Sequence, residues 1–152
     1  DDVIAGVADF AEPELSRRGV TCAILKPSLP VRISGDTELL HQAFLNVLIN
    51  AMEAMPEGGE ITIRVSREAA TVLASVEDTG KGIAPEIVDR LFDPFVTSKL
   101  HGTGLGLARV RAVVERHGGR IEAENRIGGG ARFVFHFPLA EETGDGFLHP
   151  DR

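Results

Sequence analysis

The chain has a single cysteine, Cys22, in 152 residues. One thiol cannot close an internal disulfide, so the fold must rest on its core. The expectation is a reducing, cytoplasmic setting with Cys22 as a core thiol. No apolar run approaches the roughly 20 residues of a membrane-spanning helix, and no secretory leader pattern is visible. Basic residues are in the minority, 16 Lys and Arg against 23 Asp and Glu, for a net charge of −7. That balance argues against a nucleic-acid groove, which needs a basic surface, and against direct contact with an anionic membrane. A phosphate ligand remains possible, because backbone N–H groups and a few cations can hold one. Repeats and low-complexity tracts are also missing. The chain opens on Asp1, not Met, and is expected to be a piece of a longer protein whose own membrane anchoring is a separate matter.

What is present suits one soluble domain: 43% hydrophobic and 26% charged residues. A domain of this size buries roughly 68–70% of the surface of its unfolded chain. Residues 2–18 read as a helix with Val3, Val7, Phe10 and Leu15 near one face, Pro13 placed to kink or restart it, and Gly19 ending it. Residues 21–25 are a strand candidate, and residues 31–33 a further extended piece. Asp36 caps a long helix to about Met55, stopped by Pro56, Gly58 and Gly59. Alternation predicts strands over 61–65 and 72–76, with the hairpin turn near Glu68, Ala69 and Ala70. Pro85 suits the first turn of a short helix ending near Leu91. A glycine-rich loop over 101–106 leads into a helix that ends at His117, before Gly118 and Gly119. Residues 120–125 and 132–137 read as the last strands. The order predicts an α+β, two-layer sandwich: a mixed, mostly antiparallel sheet of about five strands with three helices on one face. Residues 1–139 form the expected domain, and the polar residues 140–152 a frayed tail.

The long helix is apolar almost all round. Its exceptions, Gln42, Asn46, Asn50 and Glu53, follow at steps of four, four and three, which puts them on one stripe. An ordinary solvent face is one account, although such faces usually carry Lys, Glu and Arg. A stripe lining a polar cleft is the other, and an amide oxygen there suits a hard cation such as Mg²⁺.

Two glycine-rich turns follow. Asp78-Thr79-Gly80-Lys81-Gly82-Ile83 closes a strand with a carboxylate and two glycines. A carboxylate accepts from an exocyclic amine and repels the carbonyl of guanine, and a site built on such a bond rejects the wrong partner by up to ~10⁴-fold. A plain turn is the alternative. Gly102-Thr103-Gly104-Leu105-Gly106-Leu107 opens a helix, whose N-terminal amides suit phosphate. The pattern is neither a GxxxxGK[ST] loop nor GxGxxG after a strand, and a flexible loop is the bland account. Between the turns, Phe92 and Phe95 flank Pro94, with Thr97 and Lys99 in reach of a phosphate.

Taken in order, Asn46-Val47-Leu48-Ile49-Asn50-Ala51, the Asp78 turn, Phe92-Asp93-Pro94-Phe95 and the Gly102 turn through Ala108 resemble the N box, first glycine box, F box and second glycine box of bacterial sensor histidine kinase catalytic domains. That superfamily also holds the gyrase, Hsp90 and MutL ATPases. The resemblance runs from about Asp2 to Leu139 and is strongest to the nitrogen-regulation and dicarboxylate-sensor branch. It implies ATP and Mg²⁺ as cofactors. Asn50 would hold Mg²⁺ and Asn46 would lie near the γ-phosphate, with Glu53 one turn on. Asp78 would read the adenine amine, with Gly80, Gly82 and Ile83 around the base. Phe92 and Phe95 would anchor an ATP lid. Thr97 and Lys99 would reach phosphate, cradled by Gly102, Thr103, Gly104, Leu105, Gly106 and Leu107. Asn46, Asn50 and Lys99 are the catalytic candidates. Two positions depart from the family pattern: Ala131 replaces a Thr common near the adenine, and Glu53 replaces a Lys found in some branches.

The resemblance also implies the partners. These are a dimerisation and phosphoacceptor domain of the same parent, then a response regulator receiver domain. Superfamily ATPases carry a water-activating Glu where this chain has Asn46, and an amide is no general base. None of His41, His101, His117, His136 and His149 is followed by the acidic residue of a family acceptor. The reading is therefore a protein-histidine kinase domain without its acceptor. A superfamily ATPase or anti-sigma-type serine kinase, and a non-enzymatic nucleotide-binding module, are the alternatives.

Overall fold

The computed structural model describes residues 2–95 and 106–140. Among these, three α-helices cover one face of a five-stranded sheet: α1 (Asp2–Arg18), β1 (Val20–Leu25), α2 (Thr37–Glu53), β2 (Gly59–Glu68), β3 (Thr71–Asp78), α3 (Gly106–Arg116), β4 (Arg120–Asn125) and β5 (Ala131–Pro138). The strand order is β1-β2-β3-β5-β4. β1 and β2 are parallel and the other pairs antiparallel. This is the mixed, mostly antiparallel α+β sandwich that the sequence predicts. No helix among the described residues is long and apolar enough to cross a membrane.

The alternation of β2, β3 and β5 explains the layers. Ile61, Ile63 and Val65, then Val72, Ala74 and Val76, then Phe133, Phe135 and Phe137 point to the helices and are buried. Phe44 of α2 packs on Phe135, ring centroids 4.3 Å apart, and Phe135 stacks near Phe137. Burying each such side chain contributes about 1.5–3 kcal/mol. Arg64, Glu77 and Arg132 lie on the opposite, polar face, both arginines 3.6 Å from the Glu77 carboxylate.

The Asp36 side chain accepts from the N–H groups of Glu38 and Leu39, so the expected cap forms. His117, at the end of α3, accepts the Asp36 N–H on Nε2 at 2.9 Å. Its Nδ1 lies 2.7 Å from the Val113 carbonyl, so the ring links the end of α3 to the start of α2.

Several sequence expectations are corrected. Phe10 is 68% exposed, resting edge-on near His41, and the inner face of α1 is Ile4, Val7, Ala11 and Leu15. Those positions recur at helical spacing, whereas Phe10 falls to the side. Pro13 neither breaks nor restarts α1, which is continuous through it. Asp9, whose carbonyl a proline at 13 cannot serve, is exposed to water. Residues 31–33 do not join the sheet, although the Arg32 carbonyl accepts from Ala140 N–H at 2.8 Å. The short helix after Pro85 is a single 3-10 turn at Val88–Arg90, and α2 ends at Glu53 with Ala54 as its cap. Cys22 is half-buried rather than sealed in the core.

The topology gathers one end of the molecule. A parallel β1–β2 pair needs a crossover, and α2 supplies it, ending beside the start of β2. β2 starts where β3 ends, with Ile61 opposite Asp78. β4 ends where β5 begins, with Asn125 opposite Ala131. α3 closes next to the start of β4, so its N-terminus, about 16 Å away, returns to the Asp78 end.

Candidate functional site

Asp78 is the last residue of β3 and shares the inward face with Val72, Ala74 and Val76. Period-two alternation carries a carboxylate into an apolar row, where it is 1% exposed. A buried carboxylate is costly unless hydrogen-bonded. Here Oδ1 accepts from the N–H of Gly80 at 2.9 Å and of Ala131 at 3.1 Å. Both backbone bonds end on that one oxygen.

The first glycine turn is wedged between two elements. A Cβ at Gly80 would overlap the Ala54 carbonyl at the end of α2, and Lys81 N–H donates to that carbonyl at 3.2 Å. The turn therefore sits one helical turn beyond Asn50. Gly82 has φ +79°, a conformation that favours glycine, and a Cβ there would lie 2.7 Å from Asn125 Oδ1. Thr79 Oγ1 accepts from Glu60 N–H at 3.1 Å, tying the turn to the start of β2.

The polar stripe of α2 behaves unevenly. Asn46 and Asn50 are half-buried, while Gln42 and Glu53 at its ends are exposed. Ile49 is also exposed, so the helix is less enclosed than its composition suggests. Of the F-box rings, Phe92 packs edge-on to Phe133, centroids 6.1 Å apart. Phe95 is 76% exposed with φ +67° and makes no such contact with the core. Arg111 of α3 pairs with Asp93 at 3.2 Å across the surface. At Gly106, which starts α3, a Cβ would meet none of the described residues within 4 Å, and Leu107 is half-buried against the core. Thr97, Lys99, Gly102, Thr103, Gly104 and Leu105 lie outside the described residues, as do His101 and His149. His136 pairs with Glu122 at 2.7 Å on the polar sheet face.

The structure thus brings Asp78, Gly80, Gly82 and Ile83 to the end of α2 that carries Asn50, with the N-terminus of α3 at the same end. An open groove of about 440 Å³ lies at the other end of the sheet, lined by Thr71, Gly118 and His136 among others, and includes none of the predicted site residues.

Sequence reasoning placed a turn between the last two strands but did not name Asn125, Arg126 or Gly130 as site residues. Asn125 Oδ1 accepts from Ile83 N–H at 2.7 Å, and its Nδ2 donates to Ile83 C=O at 3.0 Å. Arg126 Nη1 donates to the Asp78 carbonyl at 2.6 Å. A Cβ at Gly130 would overlap that same carbonyl. The three glycines in a row, with φ of +94°, +116° and +90°, were the available signal.

A divalent ion at Asn50 would find one half-buried amide oxygen. The described residues contain no group of three or more His, Cys, Asp or Glu able to hold a metal. Most ligands of a Mg²⁺ here would then come from phosphate and water, which that ion accepts readily.

Residues 35–141 match the family described as histidine kinase-, DNA gyrase B- and HSP90-like ATPases. The sensor histidine kinase ZraS of Klebsiella oxytoca is 36% identical over 147 residues, covering 95% of this chain and 32% of that protein. The chain therefore spans about a third of the length of this relative. The nucleotide-free catalytic domain of histidine kinase ThkA superposes with a TM-score of 0.82 at 33% identity, covering 90% of both chains. Full-length ShkA in complex with AMPPNP gives 0.83 at 32% identity, covering 94% of this chain and 30% of that one. ThkA has also been solved in complex with the response regulator TrrA. The chain belongs to the histidine kinase-, DNA gyrase B- and HSP90-like ATPase family, among the histidine kinase catalytic domains.

Proposed function

We propose that the chain binds Mg-ATP and donates the γ-phosphoryl group to a histidine on a separate dimerisation and phosphoacceptor domain of its parent, for relay to a response regulator. The observation that carries this reading is the buried Asp78 carboxylate. It sits on the sheet end that also receives the Asn50 end of α2 and the N-terminus of α3. A carboxylate there accepts from the adenine amine. The helix N-terminus stabilises phosphate through free N–H groups and its partial positive charge. The AMPPNP bound to the related ShkA supports a nucleotide ligand.

Asn50 fits Mg²⁺ through its amide oxygen, and the ion when bound supplies charge neutralisation at the triphosphate. Glu53 and Asn46 share that stripe. Thr97 and Lys99, with the glycine turn from Gly102 to Gly106, complete the phosphate side of the proposed site. In the transfer, an imidazole nitrogen of the acceptor attacks the γ-phosphorus in line and the bond to the β,γ-bridging oxygen breaks, releasing ADP. The imidazole proton passes to a base outside this chain. Positioning and electrostatics do most of the work in such transfers. Asn46 cannot activate water, which favours transfer over hydrolysis.

The test mixes the chain with γ-labelled Mg-ATP, with and without the parent's acceptor segment. The acceptor should take the label and this chain should not. Stable label on this chain alone would sink the proposal. Substantial steady-state hydrolysis without acceptor would favour a superfamily ATPase.

A further inference from the structure

We propose that Asn125 is a positioning residue that sets the shape of the base pocket and so contributes to its selectivity for adenine. The inference rests on the reading of Asp78, Gly80, Gly82 and Ile83 as the adenine site, and it adds a residue that no box of the family pattern contains.

The geometry is two-sided. Asn125 Oδ1 takes the Ile83 N–H at 2.7 Å and Nδ2 gives to the Ile83 C=O at 3.0 Å, across 42 residues of sequence. One side chain thus satisfies both backbone groups of one residue. The amide offers an acceptor and a donor on the same rigid plane; an ionised Asp lacks the donor and Ser offers a single atom. The partners also fix which atom is which, because an N–H faces Oδ1 and a carbonyl faces Nδ2. Gly82 has φ +79° and would carry a Cβ only 2.7 Å from Asn125 Oδ1, so the turn closes directly onto this amide.

Asn125 is the final residue of β4, paired with Ala131, whose own N–H holds Asp78 Oδ1. The next residue, Arg126, donates from its side chain to the Asp78 carbonyl and from its backbone N–H to Gly130 C=O at 2.8 Å. The start of the first glycine turn, at Asp78, and its end, at Ile83, are therefore both fastened to the same β4–β5 turn. Without Asn125, Asp78 keeps its two backbone donors, while the peptide at Ile83 is free to move relative to it. The distance between the acceptor for the amine and the far wall of the base is what this amide sets.

The experiment compares the full chain with Asn125→Ala and Asn125→Ser, measuring Mg-ATP and Mg-GTP dissociation constants by calorimetry. Exchange of the Ile83 amide proton is followed by NMR without nucleotide. Asn125→Ala should weaken ATP binding about tenfold, the equivalent of two modest hydrogen bonds, and lower the ATP-over-GTP preference by a similar factor. Asn125→Ser, which retains one hydroxyl partner, should fall between, and the Ile83 amide should exchange faster in both variants. A purely structural role would lower the melting temperature and leave the preference unchanged. An unchanged preference in Asn125→Ser, or in a folded Asn125→Ala, overturns this inference alone if Asp78→Asn still weakens ATP binding. A wild-type chain that does not distinguish ATP from GTP, or is insensitive to Asp78→Asn, overturns the adenine reading and this inference with it.

Discussion

The backbone N–H of Ala131 donates to Oδ1 of Asp78 at 3.1 Å, linking residues 53 positions apart. With the Gly80 N–H on the same oxygen, this contact orients the carboxylate at the end of β3. Ala131 therefore holds this carboxylate through its backbone rather than through a side chain.

Asp78→Asn should keep the fold, because an amide oxygen can accept both backbone bonds. The group turned toward the base becomes a donor facing the donor amine of adenine. ATP affinity should fall at least about tenfold, since an unpaired or opposed polar group costs more than a lost bond. Calorimetry with Mg-ATP, beside a thermal melt, checks both parts. Unchanged affinity would contradict the role given to Asp78.

Asn50→Ala should remove most of the gain in ATP affinity that Mg²⁺ provides. The comparison is between titrations in Mg²⁺ and in a chelator. The wild type should bind more tightly with the ion, and the variant should show little difference, because one of the few protein oxygens offered to it is gone. A full Mg²⁺ effect in the variant would place the ion's contact elsewhere.

Gly130→Ala and Gly128→Ala make a paired test of the β4–β5 turn. Both glycines have positive φ, +90° and +94°. A Cβ at Gly130 meets the Asp78 carbonyl, whereas one at Gly128 meets none of the described residues within 4 Å. Gly128→Ala should cost about 1–2 kcal/mol of backbone strain. Gly130→Ala should cost about 3 kcal/mol or more, from strain plus overlap with backbone that cannot yield. Urea unfolding curves measure both, and equal losses would remove the proposed close approach.

Burial, aided by the nearby Glu12 charge, pushes the Cys22 thiol above its ordinary pKa. The thiolate is the reactive form, so a raised pKa means a smaller reactive fraction at any given pH. Alkylation of the folded chain should be slower than that of a free thiol through the mildly alkaline range, with its rise displaced to higher pH. Unfolding in denaturant should restore the ordinary profile. A folded-state profile matching a free thiol would show that the side chain is not shielded.

The readable parts of the sequence were those whose signals are local. Asp36 followed by an apolar helix, the alternation around Ile63 and Val76, and Gly118-Gly119 after α3 each state their structure within a few residues. The misreadings were local signals overruled by packing. Phe10 looks like a core residue by type, but α1 turns Ile4, Val7, Ala11 and Leu15 inward and leaves it outside. Pro13 looks like a break, but its effect is confined to a side of the helix that water reaches.

The sequence by itself determined the inventory of the proposed site. A carboxylate before two glycines, two amides four residues apart on one helix, and a second glycine run are chemistry written in short spacings, and periodicity alone places Asp78 on the inward face of its strand. Only the tertiary structure decided how these pieces meet. The α2 crossover brings Asn50 beside the Asp78 turn, and the β4–β5 turn arrives from more than 40 residues away to clamp Ile83 and hold Asp78. Asn125 has no distinguishing mark in the chain, because its hydrogen-bond partners are fixed by sheet pairing between distant strands.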